Sequence, residues 1–177
     1  MEIELVTVTE ETRHIVRNMF TVYFSELSAW DELVEFNDHG LPVWTAFDRP
    51  QPRTHEECVD YNWWIRDSCE VLLITADRRL AGFVIINAGP MHLPPDIDFD
   101  LLDFFVAHKY RRRGVGKEAA RQVLERHTGR WEVAELEGNA AAVAFWNRVI
   151  GEYTEGYYSR LDDGARQQFD TRKKTEK

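Results

Sequence analysis

Apolar residues recur along this chain in two periods, and the switches between them outline its elements. Residues 3–8 set Ile3, Leu5 and Thr7 against Glu4, Val6 and Val8, which predicts a first strand. Thr9 can cap a helix, with Glu10 and Glu11 favourable in its first turn. Ile15, Val16, Met19, Phe20, Tyr23 and Phe24 then follow a 3–4 spacing and give one apolar helix face. Trp30, Leu33, Val34 and Phe36 suggest a short second helix, and Pro42, Pro50 and Pro52 break the segment after it. Thr54-His55-Glu56-Glu57 has the form of a capping box opening a helix to about residue 67. The apolar run 71–75 reads as a buried strand, Asp77-Arg78-Arg79 as a turn, and 80–87 as the return strand of a hairpin. Residues 99–106 form the next strand and 107–113 a basic loop. A helix is predicted over 116–127, then a strand over 131–136. Asn139 caps a last helix whose face is Ala142, Phe145, Trp146 and Val149. One or two closing strands are predicted over 153–161. Strand–helix–strand around 99–136 implies a parallel crossover, and 71–106 an antiparallel meander. Together they imply a mixed sheet with helices on both faces.

Length adds that 177 residues make one ordinary domain, read here as 1–170 with a flexible tail over 171–177. With 44% apolar and 30% charged residues, the chain is neither disordered nor fibrous. Two cysteines, Cys58 and Cys69, are too few for a disulfide scaffold and have no metal-ligand spacing. The acidic N-terminus fits neither a signal nor a transit peptide, and no apolar run approaches the roughly 20 residues that span a bilayer. A cytoplasmic protein is expected. Six histidines are scattered, and none is assigned a metal or catalytic role.

Net charge is −9, which argues against a nucleic-acid binder. The charge is unevenly spread. Residues 1–106 carry 7 basic and 20 acidic side chains, whereas residues 107–130 carry 8 basic and 2 acidic. That basic island contains the most informative segment, Phe104-Phe105-Val106-Ala107-His108-Lys109-Tyr110-Arg111-Arg112-Arg113-Gly114-Val115-Gly116. It reads as strand, basic loop, two glycines and helix. The glycines let a ligand approach the backbone. The free amides at the helix start favour a phosphate or pyrophosphate. Arg111, Arg112, Arg113 and Lys117 add positive charge at the same place. A tight turn with a solvated basic face is the plainer alternative. Neither a P-loop nor a dinucleotide fingerprint is present.

Residues 99–150 resemble the acetyl-CoA-binding core of the GNAT superfamily of N-acetyltransferases. The family pattern Gln/Arg-x-x-Gly-x-Gly/Ala falls on Arg111-Arg112-Arg113-Gly114-Val115-Gly116. It follows an apolar strand ending Phe104-Phe105-Val106 and precedes Asn139-Ala140-Ala141-Ala142-Val143-Ala144-Phe145-Trp146, similar to the family's Asn-x-x-Ala-x-x-Phe-Tyr segment. The resemblance implies an α/β (α+β) fold with a mixed, largely antiparallel central sheet and helices on both faces. It implies acetyl-CoA as co-substrate and no metal. Backbone groups at Phe104, Phe105 and Val106 would bond pantetheine as an added strand. The N–H of Val106 or its neighbour would polarise the thioester carbonyl. Arg111 to Gly116, with Val115 and Lys117, would hold the pyrophosphate. Asn139, Ala142, Phe145 and Trp146 would line the other side, although core packing is an equal reading for Phe145.

Acetyl transfer to an amine needs a proton acceptor. The family's base is often a carboxylate on the strand before the loop, where Asp98, Asp100 and Asp103 lie. Asp100 and Asp103 differ by an odd number, so a regular strand faces them oppositely unless a bulge intervenes. Asp100 matches one spacing used by the family. Asp103 sits among Leu101, Leu102, Phe104 and Phe105, which should raise its pKa. Glu135 is a reserve candidate. Many family members have a Tyr general acid where this chain has Trp146, whose indole cannot donate a proton at neutral pH. Tyr153, Tyr110, water, or unaided departure of the thiolate remain open. Residues 18–48 carry six acids and no Lys or Arg, and with Trp30, Trp44, Trp63 and Trp64 they suit a cationic acceptor. The expected partners are acetyl-CoA and an amine, with no nucleic acid and no membrane; a homodimer is compatible with this picture. A non-catalytic acyl-CoA-binding module is the alternative function, kept open by Trp146.

Overall fold

The computed structural model describes residues 1–45, 50–54, 56–57, 69–89, 93–136 and 138–174. It divides into two compact units, one of residues 1–7 with 68–177, the other of residues 8–67.

The first unit is built on a seven-stranded sheet. Its strands are β1 (Ile3–Thr7), β4 (Cys69–Ala76), β5 (Arg79–Asn87), β6 (Phe99–Val106), β7 (Arg130–Ala134), β8 (Ser159–Leu161) and β9 (Arg166–Asp170). Their order is β1-β4-β5-β6-β7-β9-β8, and only β6 and β7 run parallel. The crossover between those two carries helix α2 (Val115–Arg126), and α3 (Ala140–Tyr153) follows β7. One sheet face packs on these helices. Leu72, Ile74, Val84, Ile86, Leu101, Trp131 and Val133 meet Val115, Ala119, Val123, Leu124, Trp146, Val149 and Ile150 in a single core. The apolar positions of α2 recur three and four apart, so one stripe is buried whole. Asn139 caps α3 as expected, its Oδ1 accepting the N–H of Ala142 at 3.1 Å. Asn139→Ala should cost about 1 kcal/mol, read as a lowered denaturation midpoint with unchanged slope.

In the second unit α1 (Arg13–Leu27) buries Val16, Phe20 and Phe24. Its neighbours are the paired strands β2 (Val34–Phe36) and β3 (Pro42–Trp44). Phe24 meets Trp44 edge-on at 6.4 Å.

Four expectations change. Helix α1 begins at Arg13 rather than at Thr9, because Thr12 Oγ1 accepts the Thr9 N–H and closes a separate turn. Residues 30–36 hold no helix; Val34–Phe36 is a strand. Asn37 decides this, its Oδ1 accepting the N–H groups of His39 and Leu41 in a tight turn that ends at Gly40 with φ 71°. The helical reading of Tyr153 replaces its reading as strand, and the closing pair is 159–161 with 166–170. The second of these, Arg-Gln-Gln-Phe-Asp, has one apolar residue and no strand signal. Thr171, expected in a flexible tail, is buried and bonds Gly129 and His127. The Thr54–Glu57 capping bond forms at 3.1 Å, while the body of its expected helix lies outside the described residues.

Candidate active site

Strands β6 and β7 stay together for three residue pairs, Phe99 with Trp131, Asp100 with Glu132 and Leu101 with Val133. Beyond Leu101 they part, while β6 continues to Val106 along β5. The Ala107 N–H bonds Ala81 O at 2.8 Å, so alternation turns the backbone groups of Phe104 and Val106 away from β5, toward the opened edge. The Val106 carbonyl accepts Arg111 Nε at 2.5 Å. Gly82 lets the strands approach: a Cβ there would lie 1.9 Å from the Phe105 carbonyl oxygen.

The basic loop comes directly after β6. His108–Tyr110 make a short 3₁₀ turn. Arg112 and Gly114 take left-handed conformations, φ 57° and 85°, and Gly114 is the N-cap of α2. At Gly114 the requirement is conformational, since nothing lies within 4 Å of an added Cβ. At Gly116 it is contact, 3.4 Å to the Phe145 ring. The first-turn amides of α2 have no partner inside the helix, whose first backward bond is Glu118 N–H to Gly114 O. Arg112 and Arg113 are exposed beside them. Arg111 is turned to Val106, and Lys117 pairs with Glu152 of α3.

The register break between Ile85 and Ile86 places a bulge at Leu102 of β6. Asp100 therefore pairs with Asn87 and Asp103 with Ile85, and both carboxylates share one face. Burial, then the charges of Glu132 and Asp103, push the Asp100 carboxyl up to about 7, against the weaker pull of Arg166. Asp98 is otherwise engaged: its Oδ2 accepts the Arg130 N–H at 2.8 Å. Glu135 continues the opposite face, alongside Val133, through its N–H bond to Ala165 O. Burial pushes its carboxyl up to about 8, outweighing a hydrogen bond from Gln167 Nε2 at 3.2 Å. Trp146 is buried in the core, edge-on to Phe104 at 5.0 Å and to Phe145 at 5.1 Å.

A model of the Acetyltransferase (GNAT) family matches residues 26–151. The chain belongs to the GNAT acetyltransferase family. Solved structures share its fold at low identity. An acetyltransferase from Thermus thermophilus is 17% identical with TM-score 0.59, each chain covered to 95%. The aminoglycoside acetyltransferase AAC(6')-Ib, in complex with coenzyme A, is 12% identical with TM-score 0.62, covering 99% of this chain and 100% of its own. The ribosomal-protein-S18-alanine N-acetyltransferase from Escherichia coli is 12% identical with TM-score 0.50, covering 96% and 94%. No curated protein matches the chain.

In this GNAT domain the residues singled out from sequence fall into three places. Phe104, Phe105 and Val106 form one lip of the strand opening. Gly114, Val115 and Gly116 start α2, with Val115 buried in the core. Ala142 is half-buried on the first turn of α3, while Phe145 and Trp146 pack against Phe104. Of the acidic stretch, Glu32, Glu35 and Asp38 are exposed, and Asp31 Oδ2 accepts the Trp44 indole N–H at 2.9 Å. Asp48, Trp63 and Trp64 lie outside the described residues. Sequence reasoning missed Asn87 and Glu132, which flank Asp100 in register, and Arg166 and Gln168, which bond Glu132. Their one signal was Glu132, a lone carboxylate between Trp131 and Val133. No helix among the described residues is long and apolar enough to cross a membrane.

Proposed function

We propose that this protein is an acetyl-CoA-dependent N-acetyltransferase that passes the acetyl group directly to a primary amine of a small molecule or peptide, with Asp100 as general base. The carrying observation is a half-buried carboxyl, raised to about 7, at the vertex where β6 and β7 part. The opened edge of β6 offers backbone groups to an extended amide chain. The first-turn amides of α2 with Arg112 and Arg113 suit a pyrophosphate. Both features support acetyl-CoA as the co-substrate, held by residues 104–106 and 112–116. When bound, its thioester supplies an activated acetyl carbon. Asp100 takes a proton from the acceptor ammonium, freeing the nitrogen lone pair for the new N–C bond. The C–S electron pair departs with sulfur, and the proton in excess on the new amide nitrogen passes to the thiolate, directly or through water. The Val106 N–H faces the opened edge, where it can receive developing oxyanion charge. Asp103, on the same face, is the second candidate for the base. Asp100, Asp103 and Glu132, with Arg166 the cation that acts on Asp100, favour a cationic acceptor.

Thiol release from acetyl-CoA with a panel of amines tests this reading, and absence of CoA binding would sink it. Arg113→Glu should weaken CoA about tenfold at low salt, where a phosphate contact is least screened. Gly114→Trp should weaken it as well through its left-handed φ; unchanged affinity in both variants removes the loop from the site. Buried Trp146, standing where many members carry Tyr, favours a second reading, a module that binds acyl-CoA without turnover.

A further inference from the structure

Sheet register draws a row of polar residues across one face. Asn87 of β5 lies opposite Asp100 of β6, Asp100 beside Glu132 of β7, and Glu132 opposite Gln168 of β9. Donors are shared unequally along it. Glu132, 6% exposed, has both oxygens occupied: Oε1 accepts Arg166 Nη1 at 3.3 Å and Oε2 accepts Gln168 Nε2 at 2.6 Å. Arg166 is itself steadied by Asp162, through Nε to Oδ2 at 2.8 Å. The Asp100 carboxyl accepts no hydrogen bond among the described residues. Its cross-strand neighbour Asn87, fully buried, turns Oδ1 to the Gly89 N–H at 3.0 Å and leaves Nδ2 without a partner among the described residues.

Two neighbouring carboxylates in a half-buried place cannot hold two negative charges cheaply, and the proton goes to the one with fewer donors. We propose that Glu132, held by Arg166 and Gln168, is a positioning residue that makes Asp100 the proton-accepting member of the pair. The inference rests on Asp100 being the base of the proposed reaction. The groups facing Asp100 are Asp103 on its own strand, Glu132 on β7, Arg166 on β9 and the neutral Asn87 on β5. The charge at 132 raises proton affinity at Asp100, and the charge at 166 lowers it.

The test is the pH profile of kcat/KM, paired with ¹³C NMR titration of the Asp side-chain carboxyls, with Asp100→Asn supplying the assignment. In Glu132→Gln the rising limb and the Asp100 resonance move to lower pH by about 1 unit, while Glu132→Asp, which keeps the charge, stays near wild type. Arg166→Gln moves both the opposite way and serves where Glu132→Gln does not fold. An Asp100 resonance that titrates at the wild-type pH in both Glu132→Gln and Arg166→Gln overturns the inference. A wild-type protein that turns over no amine defeats the acetyltransferase reading instead, and the NMR titration still judges the carboxylate pair.

Discussion

Asp100→Asn lowers kcat/KM for acetyl transfer by about 10²–10⁴-fold, the usual worth of a general base. The loss is largest near pH 8, where the wild-type carboxyl, with its pKa of about 7, is ionised. Wild-type activity is expected to rise as pH increases through 7, because in the proposed reaction only the deprotonated form takes the acceptor's proton. Stability moves the other way. A carboxyl whose folded pKa lies above its unfolded value binds more protons folded than unfolded between about pH 4 and 7. Its burial therefore weakens the fold progressively as pH rises through that window. Asn carries no charge to bury, so the variant should be at least as stable as wild type above pH 7. An inactive protein with an equal or higher Tm separates lost chemistry from lost structure. Full activity in Asp100→Asn would transfer the role to Asp103.

Gly82→Ala gives the second large effect, on the scaffold. Its Cβ would sit 1.9 Å from the Phe105 carbonyl oxygen, a backbone atom within the β5–β6 ladder. Neither strand can yield by a rotamer change, since Phe83 and Phe105 are buried against each other at 5.6 Å. The expected cost is about 3 kcal/mol, a fall in Tm of roughly 6–12 °C for a chain of this size. The displaced β6 would also carry Phe104 and Val106 away from the opened edge, so CoA affinity should fall with stability. Gly116→Ala is the contrasting variant: its 3.4 Å contact is with a side-chain ring, which can shift a little.

Strand 99–106 was legible to the residue, because its eight residues lie between a proline-rich loop and an arginine run. The loop after it was equally plain, since Gly114 answers a left-handed backbone that other side chains rarely adopt. Strand β9 was not, because Gln167 is fully buried through hydrogen bonds to Gly164 and Glu135, the second of them distant in sequence. Strand β2 was read as helix because Trp30, Leu33 and Val34 mimic a helical period, and the turn chemistry of Asn37 outweighed it.

By itself the sequence determined the family, the order of most elements and the basic loop, all of which depend on neighbouring residues and local backbone needs. The choice among its carboxylates belonged to the tertiary structure. A one-residue bulge at Leu102 brings Asp100 and Asp103 onto one face, and parallel register sets Glu132 beside Asp100. Asp98 is spent on the Arg130 amide and Glu135 lies on the opposite face. Burial and charge act through space, and strand period alone carries no register. Only the assembled sheet sets which carboxyls hold a proton near neutral pH and which of them stands where β6 and β7 part.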